Sequence, residues 1–391
     1  MIKKIAICLV IYLYSLNIYV SGFVNTKDYL KINVPSAVVI DNKTHRILFE
    51  KNAHEKRSVA SLTKVMTSIM LVENCKQNDV ITAPDSVAWV GGSLLGLKPG
   101  DKITAYNLLV GMLLPSGNDA AYTTGMHIGG SIENFGEMMT EKAKQIGAIN
   151  SSFKNPHGLD VEGHYSTAYD MALITSYALQ NETINKIVNS TNLSVTYGNT
   201  TKILRNTNAL LKDYAFVDGV KTGFTGEAQR CLIASGTEDS FRLIAVVLGA
   251  LDTQTRFNTA KNLLQKSFEV YDNKDLSEMM KWYIKIPVIK GEKDFYELNL
   301  SDTVKYPIIE QEIDNIYVKQ EFIKEIHPPM YEGAYIGNIK MFLGDEEIYS
   351  KDIYLSETIN KRKITQYFKD GLDNIFKKRN ILDVEIVRYS M

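Results

Sequence analysis

The chain has 391 residues, 45% of them apolar and 23% charged, with a formal net charge of −1. That length is enough for two or more domains. The composition is that of a soluble globular protein, and the lack of a basic excess argues against a nucleic-acid partner.

The first residues stand apart from this body. Met1-Ile2-Lys3-Lys4 is a short basic start, Ile5 to Val20 is almost wholly apolar, and Ser21-Gly22 offers small residues to a signal peptidase. As a helix the apolar run spans about 24 Å, short of the roughly 30 Å of a bilayer core. Residues 1–22 read as a cleaved export signal, with an uncleaved anchor as the alternative. Cys8 falls within it. Cys75 and Cys231 remain, too few for a disulfide framework, and are expected as two free, largely buried thiols.

"PSAVVIDNKTHRILFEKN" predicts two strands around the turn residues Asp41-Asn42-Lys43-Thr44. "SVASLTKVMTSIM" (58–70) follows as a helix, with Leu62, Val65, Met66 and Ile69 on its apolar face. Ser61 and Lys64 lie three residues apart and therefore share a face of that helix. A lysine in an otherwise buried helix loses water and demands a partner, so the pair points to chemistry. Further helices are expected at Ala105 to Leu114, Ile132 to Ile146 and Thr167 to Leu179. Beyond residue 200, "GVKTG", "QRCLIASGT" and "FRLIAVVLGAL" read as strands separated by turns. Strands at both ends of a domain with helices between them predict an α+β layered fold.

From Trp282 the pattern changes again. "WYIKIPVIKGEKDFYELNL" and "GAYIGNIKMFLGDEEIYSKDIYL" alternate apolar and polar residues around glycine turns, as antiparallel strands of a small all-β domain would. "KRKITQYFKDGLDNIFKKR" (361–379) returns to helical period, with Ile364, Phe368, Leu372, Ile375 and Phe376 on one stripe among basic residues. This composition suits a helix lying on a membrane surface, with an ordinary core helix as the alternative. The expected organisation is a signal at 1–22, a catalytic domain at 23–275, a β-rich domain at 280–358, and an amphipathic helix and tail at 359–391.

Two further short motifs accompany Ser61 and Lys64. "LLPSGNDAA" places Ser116-Gly117-Asn118 in a loop between helices, and "VDGVKTGFTGEA" places Lys221-Thr222-Gly223 on a strand. A serine-x-x-lysine, a short serine–asparagine motif and a lysine-threonine-glycine, in this order, form a set shared by β-lactamases and penicillin-binding proteins. The Ser-Gly-Asn variant, with "ASLTKVMT" and "FKNPHGLDVEGHYSTAYDMA", resembles the exported D-alanyl-D-alanine carboxypeptidases, the low-molecular-weight penicillin-binding proteins of serine peptidase family S11, across roughly residues 33 to 270. The β-rich region and the amphipathic helix resemble the two-domain, membrane-tethered form of that family.

The resemblance implies a β-lactamase/DD-peptidase-like domain in which Ser61 is the nucleophile, Lys64 its base and Ser116 a proton relay to the leaving amine. Asn118 would hold the substrate amide and Lys64, while Lys221, Thr222 and Arg256 would bind the substrate carboxylate. The backbone N–H groups of Ser61 and Phe224 would form the oxyanion hole. Substrates would be peptidoglycan stem peptides ending in D-Ala-D-Ala, with β-lactam antibiotics as inhibitors and the outer face of the cytoplasmic membrane as the location. No cofactor or metal is implied, although His157 and His164 pose the question of a zinc site. One departure stands out. Where the family usually reads Glu-Ala-Gly-Tyr-Cys-Leu, this chain has Glu227-Ala228-Gln229-Arg230-Cys231-Leu232, which bears on substrate preference rather than on the reaction. A β-lactamase and a penicillin- or muropeptide-binding protein without turnover are the alternatives.

Overall fold

The computed structural model describes residues 30–368. The expected signal, and Leu372, Ile375 and Phe376 of the expected C-terminal stripe, lie outside the described residues. The chain divides into two compact units, up to Tyr271 and from Asp272 onward.

In the first unit, Ser36–Asp41 (β1) and Ile47–Lys51 (β2) pair antiparallel. Asp41 closes their turn by accepting from the Thr44 N–H and hydroxyl at 2.7 and 2.6 Å. Helices follow at Lys64–Asn74 (α1), Ala105–Leu113 (α2), Asn118–Gly129 (α3), Ile132–Ile146 (α4), Ala168–Leu179 (α5) and Glu182–Val188 (α6). Val80–Thr82 (β3), Lys102–Thr104 (β4), Asn192–Tyr197 (β5) and Thr200–Arg205 (β6) form a small four-stranded sheet that the sequence reading missed. Its first two strands are too short to show a period.

Val217–Thr225 (β7), Gln229–Glu238 (β8) and Phe241–Ala250 (β9) join β1 and β2 in a five-stranded sheet of order β2-β1-β9-β8-β7. The sheet is buried on both faces, which is why β9 reads as an unbroken apolar run. Val38, Ile40, Ile233, Ile244 and Val246 join the core that includes α1 and α5. Alternate residues point to the other face, and Thr253–Val270 (α7) packs on β8 and β9. The strand pattern expected beyond residue 200 is thus interrupted by an 18-residue helix capped by Asp252, whose carboxylate accepts from the Thr255 N–H at 2.7 Å. β7 is an edge strand, with β2 at the opposite edge.

The second unit holds Asp272–Asp275 (β10), Trp282–Pro287 (β11), Phe295–Leu300 (β12), Lys305–Ile308 (β13), Ile316–Phe322 (β14), Tyr335–Leu343 (β15) and Glu346–Tyr354 (β16). β10 pairs with β13, β11 with β12, and β14-β15-β16 form a three-stranded sheet, all antiparallel. Two apolar clusters fill it, one around Ile308, Ile339 and Met341 and one around Ile286, Ile336 and Ile353. Residues 364–368 are helical, with Ile364 and Phe368 exposed by 74% and 72%. No helix among the described residues is long and apolar enough to cross a membrane.

Candidate active site

Ser61 does not sit on the α-helix itself. It lies in the 3₁₀ turn Ala60–Thr63, which runs directly into α1 at Lys64. Ala60 enters the turn at φ 47°, a left-handed conformation costing a non-glycine residue roughly 1–2 kcal/mol. The loop after α5's predecessor α4 presses on that turn at Gly158: a Cβ there would fall 1.9 Å from the Ala60 carbonyl oxygen, and its φ is +84°. Glycine is required at this position. On the other side, a Cβ on Gly223 of β7 would come 3.3 Å from the Ser61 nitrogen and 3.1 Å from the Val59 carbonyl oxygen. The turn is therefore held between the 155–164 loop and the edge strand, which brings the Ser61 and Gly223 backbones together.

Helix α1 is buried on every side from Lys64 to Leu71, not on one stripe alone. Lys64 is fully buried. Its Nζ lies 2.8 Å from Ser61 Oγ, 2.7 Å from Asn118 Oδ1 and 2.8 Å from the His157 carbonyl oxygen. Burial first, and then the charge of Lys221, hold its pKa well below the ordinary lysine value, with Asp119 opposing them. A neutral amine has two N–H bonds and one lone pair. Asn118 Oδ1 and the His157 carbonyl can only accept, so they take the two hydrogens. On a neutral amine the lone pair would then be left for the third neighbour, and the Ser61 hydroxyl would donate to it, the arrangement that a nucleophile beside its base requires.

Ser116 lies between α2 and α3 at φ 68°. Its hydroxyl is buried and has no hydrogen-bond partner, an unmade bond that in a native site calls for an explanation. Asn118 begins α3, and its Nδ2 donates to the Gly91 carbonyl oxygen at 2.7 Å. Lys221 is fully buried on β7 and donates to the Thr222 carbonyl oxygen at 3.0 Å; burial, then Arg256, lowers its pKa to about 7. Thr222 Oγ1 lies 2.7 Å from Thr207 Oγ1. Arg256, on α7, reaches the carbonyl oxygens of Gly223 and Cys231 only at 3.4 and 3.5 Å, and its Nε is buried without a partner. Ser61, Lys64 and Asn118 thus meet through hydrogen bonds and Lys221 acts on them through its charge. Arg256 is held against the backbone of β7 and β8.

Asp119 was missed by the sequence reading. It is buried beside Asn118 and accepts the backbone N–H groups of Leu95, Gly96 and Leu97 at 2.8, 2.7 and 2.9 Å, and that of Ala120 at 2.9 Å. One carboxylate thereby pins the 91–97 loop to the helix carrying Asn118. Asp160 plays a similar part on the opposite rim, accepting from the hydroxyls of Ser58 and Thr225 at 3.0 and 2.7 Å. His164 accepts the Lys154 N–H on Nδ1 at 3.1 Å, so Nε2 carries its proton toward Thr63 Oγ1 at 2.9 Å. Burial lowers the pKa of His157 to about 3 and of His164 to about 4, keeping both neutral. Among the described residues no cluster of three or more His, Cys, Asp or Glu could hold a metal ion. Both remaining cysteines are free; Cys231 is buried and Cys75 half-buried.

A model of the peptidase S11 family, D-alanyl-D-alanine carboxypeptidase, matches residues 23–252. The chain belongs to this family. A second model, the C-terminal domain of penicillin-binding protein 5, matches residues 271–361. The D-alanyl-D-alanine carboxypeptidase DacF of Bacillus subtilis is 35% identical, over 85% of this chain and 88% of that protein. DacC of Escherichia coli is 30% identical, over 83% and 84%. Among solved structures, penicillin-binding protein 5 of Haemophilus influenzae aligns with a TM-score of 0.72 at 28% identity, covering 85% of this chain and 99% of that one. The protein is a serine-type D-Ala-D-Ala carboxypeptidase of the penicillin-binding kind. Neither a β-lactamase nor a binding protein without turnover is favoured.

Proposed function

We propose that this carboxypeptidase removes the terminal D-alanine of peptidoglycan stem peptides through an acyl-enzyme on Ser61. The carrying observation is the fully buried Lys64 amine, its pKa held well below the ordinary lysine value, 2.8 Å from the Ser61 hydroxyl. Ser61 Oγ bonds to the penultimate D-alanine carbonyl carbon as Lys64 takes the hydroxyl proton. The C–N bond to the terminal D-alanine breaks, and the proton reaches the leaving amine through the Ser116 hydroxyl, whose free bonding capacity suits a relay. Water then releases the peptide. The Ser61 and Phe224 N–H groups would hold the oxyanion, a large share of acyl-transfer catalysis. Asn118 would position the substrate amide, while Lys221, Thr222 and Arg256 would bind the terminal carboxylate; guanidinium suits that group. β-Lactams would acylate the same serine.

The setting belongs to the same reading. Residues 1–22 would direct export, 23–275 would form the catalytic domain and 280–358 the β-rich one. The helix within 359–391 would rest on the outer face of the cytoplasmic membrane, and the exposure of Ile364 and Phe368 supports this. The test uses penicillin and a peptide ending in D-Ala-D-Ala. Penicillin should add one mass increment on the peptide holding Ser61, and Ser61→Ala should lose both this labelling and D-alanine release. Labelling retained in that variant would sink the assignment.

A further inference from the structure

Arg230 stands where the family usually has tyrosine, and its surroundings give it a task. It is the cross-strand partner of Phe224, whose backbone N–H is assigned above to the oxyanion. Cross-strand partners share a sheet face, and the Arg230 guanidinium carbon lies 4.8 Å from the Phe224 ring centroid. Two bonds fix the guanidinium there, from Nε to Thr253 Oγ1 at 3.0 Å and from Nη1 to the Leu251 carbonyl oxygen at 3.1 Å. Neither acceptor carries a charge, and among the described residues Arg230 has no ion-pair partner. The Phe224 ring beneath it is 58% exposed. Here, then, is a held cation at an open margin of the sheet, with no carboxylate in direct contact, although after the hydrogen bonds from Thr255 its charge helps to lower the pKa of the exposed Asp252.

Its position along β7 decides what it can meet. On the proposed reading, the substrate carboxylate sits by Thr222 and Arg256 and the scissile carbonyl by Phe224. The acyl part of the substrate then continues past Phe224 toward Thr225, the end where Arg230 lies. Arg256 approaches Gly223 and Cys231, whereas Arg230 lies one residue further on at the Phe224 pair. One cation thus serves the leaving group and the other faces the acyl side. We propose that Arg230 is a specificity-determining residue, selecting stem peptides that carry a free carboxylate on the residue preceding D-Ala-D-Ala. The chemical class is a diamino acid with a side-chain carboxylate, as in meso-diaminopimelate.

The test uses the whole enzyme and two peptides, L-Ala-γ-D-Glu-X-D-Ala-D-Ala, where X is meso-diaminopimelate with its side-chain carboxylate either free or converted to the amide. The wild-type kcat/KM should favour the free acid by about fivefold, the upper range for an exposed ion pair, and salt should shrink that ratio. Arg230→Gln should bring the ratio close to one, and Arg230→Lys should keep part of it. A wild-type ratio near one, or a ratio unchanged in Arg230→Gln, would overturn the proposal. Equal loss on both peptides would also overturn it, leaving Arg230 only to brace Phe224. The inference rests on the carboxypeptidase reading, but the two fail differently. If the wild-type enzyme released D-alanine from neither peptide, that reading would fall, and the Kd ratio of the same two peptides would still decide for or against Arg230.

Discussion

The two units treat buried polar groups in opposite ways. Every buried polar or charged side chain among the described residues lies between Ser36 and Ser267, in the first unit, including Lys64, Ser116, Asn118, Asp119, Lys221 and Arg256. The second unit buries apolar side chains in its two clusters and keeps its ion pairs at the surface, such as Lys340–Glu347 and Lys351–Asp302. Removing a lysine from water costs several kcal/mol unless partners compensate it. A fold tolerates two such lysines in one place only where the rest of the unit supplies the stability. Costly polar burial therefore marks where the chemistry is, and its absence marks a unit built for packing.

The largest expected effect comes from Lys64. A guanidinium keeps its proton and offers no lone pair, so Lys64→Arg should lower D-alanine release by about 10³-fold or more, in the range general-base catalysis supplies. Circular dichroism and a thermal melt should show the variant folded. Release within tenfold of wild type would move the base elsewhere.

Lys221→Met should reduce kcat/KM by roughly 10²-fold through loss of a charge-assisted bond to the carboxylate, and should leave a signature in stability. The unfolded lysine keeps its proton to about pH 10.4, whereas the folded one releases it above about 7. Between those values the unfolded chain holds one more proton, so stability rises with pH. The variant should lose that contribution, about 1.4 kcal/mol per pH unit between pH 7 and 10, read from urea melts at several pH values. An unchanged slope would mean that Lys221 stays charged in the fold.

A smaller effect is expected at Asp119. Its carboxylate raises the Lys64 pKa against burial and Lys221, so Asp119→Asn should move the acidic limb of the kcat/KM profile to lower pH. The amide also accepts fewer of the four N–H groups, and activity at the optimum should fall about tenfold. An unmoved limb would leave Asp119 a purely structural clamp. Least of all, Ile339→Ala in the second unit should cost about 2–4 kcal/mol of that unit's stability and leave D-alanine release from short peptides within twofold of wild type. A large loss of activity there would break the contrast between the units.

What could be read from the sequence follows from the range of each signal. Ser61 and Lys64 were legible because their relation is local, and β9 because continuous burial leaves a continuous apolar run. Asp119 was not, although it directly follows Asn118. Its partners Leu95, Gly96 and Leu97 lie 22 to 24 residues away and offer backbone N–H groups, which no side-chain pattern reveals. The third contact of the Lys64 amine, to the His157 carbonyl, was hidden for the same reason. Helix α7 was overlooked despite its cap at Asp252-x-x-Thr255. Arg256 was therefore put forward through family resemblance, not through the helix that carries it. Gln229, at φ 55° where the family has glycine, shows that a residue poorly suited to a conformation can still occupy it when its neighbours hold the turn.

The three contacts around the Lys64 amine have a consequence for how long an acyl-enzyme lasts. Before reaction, two acceptors and one donor match a neutral amine. Once Ser61 is esterified on the proposed pathway, its oxygen has no hydrogen to give, and all three neighbours become acceptors. Three acceptors suit an ammonium, so the acyl-enzyme itself pulls the lysine toward its charged form. The proton for that ammonium comes from solvent, since the serine's own has left with the amine of the departing group. Deacylation needs the nitrogen neutral again, to accept a proton from the attacking water. The hydrogen count around a single nitrogen thus ties the lifetime of the acyl-enzyme to pH.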